Sequence, residues 1–272
     1  MNSMNDIEMS ISGGVAWLRL ARPDVLNALR RETFEQMISA LEQLAADRTV
    51  RALVVTGSGR AFCAGADLSD PMMGQNLPLE EKQAACAAVL DSLMNRAIRA
   101  IRNAPYPTIA AVNGIAAGGG VGLALAADMV IAARSARFVQ TFTPKLALVP
   151  DLGSTWHVAR HLGRARALGL VLTGDPVDGQ RAADLGLIWK CVADDELEAE
   201  AARLAAQLAS GPTGTQVAAR NLVDAAFDND FDAQLDAERD AQASLVAGDD
   251  VREAMHAFVA KRPARFAGRA GD

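Results

Sequence analysis

Hydrophobic positions in the first part of the chain follow two periods, one typical of strands and one typical of helices. The apolar runs Ile7–Ile11 and Val15–Leu20 flank Ser12–Gly14, and this arrangement predicts a β-hairpin. Apolar residues within Arg31–Ala46 recur every three or four positions, which predicts an amphipathic helix. Val50–Thr56 is short, apolar and rich in β-branched residues, so we expect a buried strand there.

Strands and helices continue to alternate as far as Ala133. Ala61–Leu68 is predicted to be a loop of small residues, and Leu79–Asn103 is predicted to be one long helix closed by prolines. Buried strands are expected at Thr108–Val112 and Met129–Ala133, with a small glycine-rich helix between them. Alternation of this kind predicts an α/β fold in which helices cover a sheet.

The second part of the chain has a helical pattern almost throughout. After Gly153, the one strand that the pattern predicts is Leu187–Val192. Val177-Asp178 and Asp194-Asp195 are expected to begin helices, because Asp often caps the N-terminus of a helix. The last predicted helix, Asp249–Ala260, precedes a basic tail. We therefore divide the chain into a core, residues 1–192, and a C-terminal helical region, residues 193–272.

Composition and charge exclude several classes of protein. Half of the 272 residues are hydrophobic and the net charge is −6, so an extended basic surface for nucleic acid is not expected. The most apolar stretch, Thr108–Ala133, is interrupted by polar residues and glycines, which argues against a membrane span. Met1–Ser10 lacks the apolar segment of a signal peptide. Three cysteines without metal-ligand spacing favour a reducing, cytoplasmic location and predict no zinc site.

Two loops rich in small residues, Ala61–Leu68 and Asn113–Gly122, each follow a predicted strand. Glycine lets a ligand oxygen approach the backbone closely, and two N–H groups that converge on one oxygen form an oxyanion hole. Close helix packing or tight turns would explain either loop equally well. The glycine spacing fits neither a Walker A loop nor a dinucleotide-binding fold.

With these loops, several further motifs follow in order along almost the whole chain, from Ile7 to Phe266. They are Arg22-Pro23 with Asn27-Ala28-Leu29, Leu148–Gly153, Leu172-Thr173-Gly174 and Ala182–Ile188. Together they resemble the crotonase (enoyl-CoA hydratase/isomerase) superfamily. The resemblance implies an α/β spiral of β-β-α turns, a C-terminal helical trimerisation region, and a homotrimer or a dimer of trimers.

The resemblance also implies a ligand, an acyl-CoA thioester, and residues that bind it. Its enolate oxygen would be bound by the backbone N–H groups of Ala66 and Gly119. Coenzyme A would enter as part of the substrate, with no separate cofactor and no metal. The residues expected to contact substrate or CoA are Arg22, Val25, Ala28, Ala64, Gly65, Asp67, Leu68 and Gly118, with Phe258 and Lys261 reaching the ligand of a neighbouring subunit. From the residues alone, solvated surface charges are the favoured interpretation of Arg22 and Lys261.

The positions of the acidic side chains indicate which reaction of the superfamily to expect. Hydratases that this sequence resembles use two glutamates, which would fall at Gly122 and near Phe142, and neither position holds an acid. Asp151 matches the acid of the Δ3,Δ2-enoyl-CoA isomerases and of the ring-epoxide isomerases of phenylacetate degradation. We therefore expect an acyl-CoA isomerase that shifts a double bond or rearranges an unsaturated or epoxide ring. An enoyl-CoA hydratase and a non-catalytic acyl-CoA-binding member are the alternatives, whereas aryl-CoA dehalogenation is disfavoured.

One carboxylate is enough for an isomerase, because it takes a proton alpha to the thioester and returns it elsewhere on the acyl chain. Apolar walls would raise the pKa of Asp151 and make it a better base, and candidates for these walls are Phe138, Phe142, Leu146 and Leu148. The three histidines, His157, His161 and His256, are expected on helix surfaces without a role. Asp67, Asp128 and Cys63 are expected to be structural.

Overall fold

An N-terminal hairpin and a repeated strand–strand–helix unit build the fold. The computed structural model describes residues 5–74 and 76–269. The strands are β1 (Ile7–Ser12), β2 (Val15–Leu20), β3 (Ala52–Gly57), β4 (Ala61–Cys63), β5 (Thr108–Val112), β6 (Ile115–Ala117), β7 (Met129–Ala133), β8 (Arg137–Val139), β9 (Val177–Asp178) and β10 (Lys190–Val192). The helices are α1 (Arg31–Ala46), α2 (Leu79–Val89), α3 (Asn95–Arg102), α4 (Gly119–Leu125), α5 (Ser154–Thr173), α6 (Gly179–Leu185), α7 (Leu197–Ala209), α8 (Thr213–Ala225), α9 (Phe231–Leu245) and α10 (Asp249–Val259).

The strands form two separate sheets, and successive segments of the chain contribute strands to both. One sheet has the order β1-β2-β3-β5-β7-β10, and all of its neighbours are parallel except the β1–β2 hairpin. The other has the order β4-β6-β8-β9, with only β9 antiparallel. Each strand–strand–helix unit adds one strand to each sheet, so the chain advances as a spiral. The predicted α/β class is confirmed.

Helix α7 belongs to the packing of the large sheet, although it follows the predicted boundary at residue 192. Its buried face consists of Leu197, Ala201, Leu204, Ala205 and Ala209, and it packs against β2, β3, β5 and β7. The division into residues 1–192 and 193–272 stays a prediction, and residues 270–272 lie outside the described part. No helix in the described residues is both long enough and apolar enough to cross a membrane.

Predicted and observed elements differ chiefly where an element is very short. Ala61–Leu68 is not wholly a loop, because Ala61–Cys63 forms β4. The sequence pattern also did not predict the short strands β6 and β8. Strands of three residues give no recognisable alternation in a sequence. The predicted helix Leu79–Asn103 is helical from Leu79 to Arg102, but Leu90–Met94 is a π-helical turn between α2 and α3.

Close backbone contacts fix α4 against β4. A Cβ atom at Gly120 would lie 2.3 Å from the carbonyl oxygen of Cys63 and 3.0 Å from its Cβ. Cβ atoms are essentially never found so close to backbone atoms, so the distance between α4 and β4 requires glycine here. The glycines of this loop therefore determine where the first turn of α4 lies.

We predict that Gly120→Ala destabilises the fold and that Gly169→Ala does not. The added methyl at position 120 must push α4 away from β4, and the expected loss in the free energy of unfolding is about 1–3 kcal/mol. Gly169 is a helical glycine of α5 with nothing within 4 Å of its Cβ position, so alanine there should be neutral or stabilise by about 0.4–1 kcal/mol. Denaturant unfolding of the two variants tests the prediction, and equal midpoints would contradict it.

Candidate active site

The two glycine-rich loops meet where β4 and β6 end. Gly65 has φ +93°, and a Cβ atom there would lie 2.8 Å from the carbonyl oxygen of Ala117 and 3.3 Å from the backbone nitrogen of Gly119. The peptide that joins Gly65 to Ala66 is therefore next to the first residue of α4. The structure brings the predicted pair Ala66 and Gly119 into one site.

Backbone hydrogen bonds hold the first loop in place, and two backbone N–H groups of the site remain without an acceptor in the described part of the chain. Leu29 donates its N–H to the carbonyl of Gly65, and Asp67 donates its N–H to the carbonyl of Leu29, each at 2.8 Å. Within the described residues, the N–H groups of Ala66 and Gly119 have no hydrogen-bond acceptor. Two unused donors on rigid, adjacent backbone can bind one developing oxyanion, an interaction that contributes about 3–4 kcal/mol per donor.

The carboxylate of Asp151 lies beside the first residue of α4. Its Oδ1 is 3.6 Å from the position that a Cβ of Gly119 would occupy, and this oxygen is buried without a hydrogen-bond partner in the described residues. Burial raises the pKa of Asp151 to about 6. A carboxylate with that pKa is largely ionised at neutral pH and remains a stronger base than an exposed aspartate.

Arg22 fixes the first loop through an ion pair. Its Nη1 donates to Oδ2 of Asp67 at 3.0 Å and to the carbonyl of Ala28 at 2.6 Å, and its side chain is largely shielded from solvent. The alternative of a solvated surface charge is therefore wrong for Arg22. Asp67 also accepts the N–H and hydroxyl of Ser69, and these hydrogen bonds together with Arg22 lower its pKa. The structural role expected for Asp67 is confirmed.

A second carboxylate extends this ion pair toward the N-terminus. Asp6 is buried and accepts two hydrogen bonds from Arg30, each at 2.8 Å, while its Oδ2 is 3.7 Å from Nε of Arg22. Burial alone would raise the pKa of Asp6, but hydrogen bonds from Arg30 and Thr33 and the two arginine charges hold it below its usual range. We call Asp6, Arg30, Arg22 and Asp67 the arginine–aspartate network.

The other residues predicted to bind substrate or CoA fall into two groups. Ala64 donates its N–H to the carbonyl of Leu26, so the segment with Val25 and Ala28 runs beside the first loop, where Leu68 is exposed. Gly118, at φ +52°, precedes Gly119 directly, and Phe142 is 3.5 Å from its Cβ position. Phe258 and Lys261 make no hydrogen bond or ion pair with either loop in this chain. Phe258 is 86% exposed, and its predicted contact with a neighbouring subunit stays a prediction.

Several side chains outside the site differ from expectation. His157 is buried rather than on a helix surface, and burial, aided by His161, Arg102 and Arg160, lowers its pKa to about 3. His161 and His256 are exposed, as predicted. Within residues 5–74 and 76–269, no three His, Cys, Asp or Glu side chains cluster as metal ligands would.

The structural assignments of Cys63 and Asp128 are confirmed. Burial raises the pKa of the Cys63 thiol to about 12, which excludes a thiolate nucleophile at neutral pH. Asp128 accepts the N–H of Thr108 and pairs with Arg220.

Sequence reasoning missed Leu152, which lies beside Asp151. Leu152 has φ +51°, a conformation that leucine rarely adopts, and its side chain packs on Gly119 and Gly122 of α4. Leucine carries no sequence signal for a left-handed backbone. The following Gly153, at φ +76°, does carry one and could have indicated a tight turn here.

Comparison with known proteins identifies the family. The model of the family described as "Enoyl-CoA hydratase/isomerase" matches residues 10–269. The chain belongs to this family. It is 42% identical to a Rhodobacter capsulatus protein named "Probable enoyl-CoA hydratase" and 41% identical to the 1,2-epoxyphenylacetyl-CoA isomerase of Escherichia coli K12. Each alignment covers 98% of this chain and 100% of the relative.

Solved structures of enoyl-CoA hydratases confirm the crotonase-type fold. A crystal structure of an enoyl-CoA hydratase from Polaromonas sp. JS666 superposes with a TM-score of 0.87 at 33% identity, covering 96% of this chain and 99% of that one. This chain is therefore an enzyme of the enoyl-CoA hydratase/isomerase family.

We predict that Asp151→Asn stabilises the fold at neutral pH but not in acid. The pKa of Asp151 rises from 3.8 to about 6 on folding, so its ionised form opposes folding. This penalty is absent below about pH 4, grows as the pH rises to about 6, and then stays constant at no more than about 3 kcal/mol. Thermal unfolding of both proteins between pH 4 and pH 8 measures the difference.

Other titrating groups, including Asp6 and Asp67, are present in both proteins and cancel in that difference. A gap in melting temperature that does not change with pH would show that Asp151 does not carry the penalty.

Proposed function

We propose that this enzyme is an acyl-CoA isomerase in which Asp151 moves a proton along an acyl chain. The observation that carries the proposal is the buried Oδ1 of Asp151, which has no hydrogen-bond partner in the described residues and lies beside Gly119, whose N–H group is unused. The thioester oxygen accepts hydrogen bonds from Ala66 and Gly119, and coenzyme A enters as part of the substrate without a separate cofactor.

The reaction needs one base and no added water. With a 3-enoyl-CoA, Asp151 removes a proton from C2, and the electrons of that C–H bond form a dienolate whose negative charge lies on the thioester oxygen. The C2=C3 double bond forms as the C3=C4 bond breaks, and Asp151 then returns the proton to C4. The base thus ends each cycle in the state in which it began.

The position of the first hydratase glutamate supports isomerisation over hydration. That position is Gly122, where a Cβ atom would lie 2.5 Å from the carbonyl oxygen of Leu152 and 2.9 Å from Oγ of Ser154. A longer side chain cannot be added there unless the segment from Leu152 to Ser154 moves. The second glutamate would fall near Phe142, which is buried, and no glutamate occurs between Ser135 and Ala167. A hydratase of the two-glutamate type would therefore need a different pair of acids.

The names of two relatives favour different reactions. The Escherichia coli relative named 1,2-epoxyphenylacetyl-CoA isomerase favours ring-epoxide rearrangement and a place in phenylacetate degradation. The Rhodobacter capsulatus relative carries a hydratase name at similar identity, which keeps addition of water to a trans-2-enoyl-CoA as the second candidate. The missing glutamates lead us to favour the isomerase.

CoA binding and assembly belong to the same proposal. We assign the CoA contacts to the segment from Arg22 to Ala28 and to the loop from Ala64 to Leu68, which the arginine–aspartate network holds together. Exposed apolar side chains on the C-terminal helices, Phe258 among them, support a homotrimer or a dimer of trimers in which Phe258 and Lys261 reach a neighbouring subunit's ligand. Three free cysteines are compatible with a cytoplasmic location.

Asp151→Asn should lower isomerase kcat/KM by about 10²–10⁴, because the amide cannot accept the C2 proton. The assay follows the gain of conjugated thioester absorbance from a 3-enoyl-CoA, and a parallel assay follows its loss from a trans-2-enoyl-CoA. Asp232→Asn, an exposed aspartate of α9, is the matched control and should retain wild-type rates. Full isomerase activity in Asp151→Asn would rule out the proposal, and loss of absorbance alone in the wild type would favour the hydratase.

The pH dependence provides an independent test of the same base. Asp151 must be ionised to accept a proton, so kcat/KM should fall about tenfold for each pH unit below about 6 and level off above it. A plateau that extends unchanged to pH 4.5 would indicate that another group, or an Asp151 of ordinary pKa, is the base. Rates measured in buffers of constant ionic strength are sufficient for this comparison.

A further inference from the structure

The side chain of Leu152 fills the space beside the Asp151 carboxylate on α4. Its Cδ1 lies 3.0 Å from the Cβ position of Gly119, and its Cβ lies 2.8 Å from that of Gly122. Oδ1 of Asp151 is 3.6 Å from the same Gly119 position. Gly119 and Gly122 are one helical turn apart and share a face, so Leu152 covers this face next to the acid.

The backbone conformation of Leu152 indicates that this placement is imposed by its surroundings. With φ +51°, Leu152 adopts a conformation that disfavours residues with a Cβ, yet its side chain is only 2% exposed. Strained residues of this kind persist when the surrounding structure holds them, and they are concentrated at functional sites. The next polar group along the chain, the hydroxyl of Ser154, is also buried and has no partner in the described residues.

A carboxylate beside an enoyl thioester can act on either of two protons. It can take a C–H proton from the acyl chain, or it can take a proton from a water molecule that then adds to C3. In the second case the water oxygen bonds to C3, a proton is added at C2, the C2=C3 double bond is lost, and the product is a 3-hydroxyacyl-CoA. The choice depends on whether water has room next to the acid.

We propose that Leu152 is a specificity-determining residue that excludes water from the Asp151 carboxylate and so directs the enzyme to isomerisation instead of hydration. The inference rests on the proposed function, because it assumes that Asp151 is the base. Leu152 has no chemical role of its own. It acts through the space it occupies, and the acid it shields does the chemistry.

The test measures the ratio of hydrated to isomerised product after the side chain of Leu152 is shortened or removed. Wild type, Leu152→Ala and Leu152→Gly are incubated with a 3-enoyl-CoA and with the matching trans-2-enoyl-CoA in ¹⁸O-labelled water. Mass spectrometry then gives the ratio of labelled 3-hydroxyacyl-CoA to isomerised enoyl-CoA. Both variants should raise this ratio by roughly tenfold or more, since pockets that differ by a few methylene groups discriminate by such factors.

Matched variants separate exclusion of water from damage to the fold. Glycine accepts the left-handed backbone more readily than alanine, so Leu152→Gly guards against a misfolded Leu152→Ala. Leu152→Met keeps the volume and should keep the wild-type ratio. Leu168→Ala, an exposed leucine of α5, controls for loss of a leucine elsewhere.

An unchanged product ratio in folded Leu152→Ala and Leu152→Gly would overturn the inference, as would an equal loss of both products. A wild type that isomerises 3-enoyl-CoA no faster than Asp151→Asn would contradict the proposed function, and this inference with it. The second result comes from the wild type and Asp151→Asn alone, so the two failures are distinguishable.

Discussion

The close backbone contact between β4 and α4 determines where the groups of the candidate site lie. Gly65 and Gly120 bring the two loops closer together than any residue with a Cβ would allow. Two unused N–H groups consequently lie close together, and Asp151 and Leu152 lie against the first turn of α4. If this contact widened, the two N–H groups and the Asp151 carboxylate proposed to act together would separate, because all of them are positioned relative to the same short helix.

Burial favours the neutral form of each titratable group near α4, but the consequence for reactivity differs from group to group. It raises the pKa of Asp151 into the range where a carboxylate is an effective base at neutral pH. The same physical effect keeps Cys63 protonated and His157 neutral, so two potentially reactive groups do not compete with the acid. Burial thus leaves Asp151 as the candidate base beside α4, and its cost is an aspartate that opposes folding at neutral pH.

The features that sequence reasoning recovered are those with a local signal. Gly65, Gly120 and the hairpin glycines lie where a close backbone approach or a positive φ favours glycine, and such positions can be recognised without a structure. The surroundings of His157 and the left-handed Leu152 depend on helices that pack from distant parts of the chain, and neither residue type signals this. Strands of three residues such as β4 have too few positions to show a period. The ion pairs of Arg22 were missed for a similar reason, because its partners are distant along the chain.

The arginine–aspartate network makes one half of the candidate site a short-range structure. Asp6, Arg22, Arg30 and Asp67 all precede α2 in the chain, and their ion pairs tie the loop that carries Ala66 to residues that come before it. Gly119 and Asp151 belong to later turns of the spiral and meet that loop through packing between distant segments. The candidate oxyanion hole thus joins a donor held within one segment of the chain to a donor held by contacts between segments.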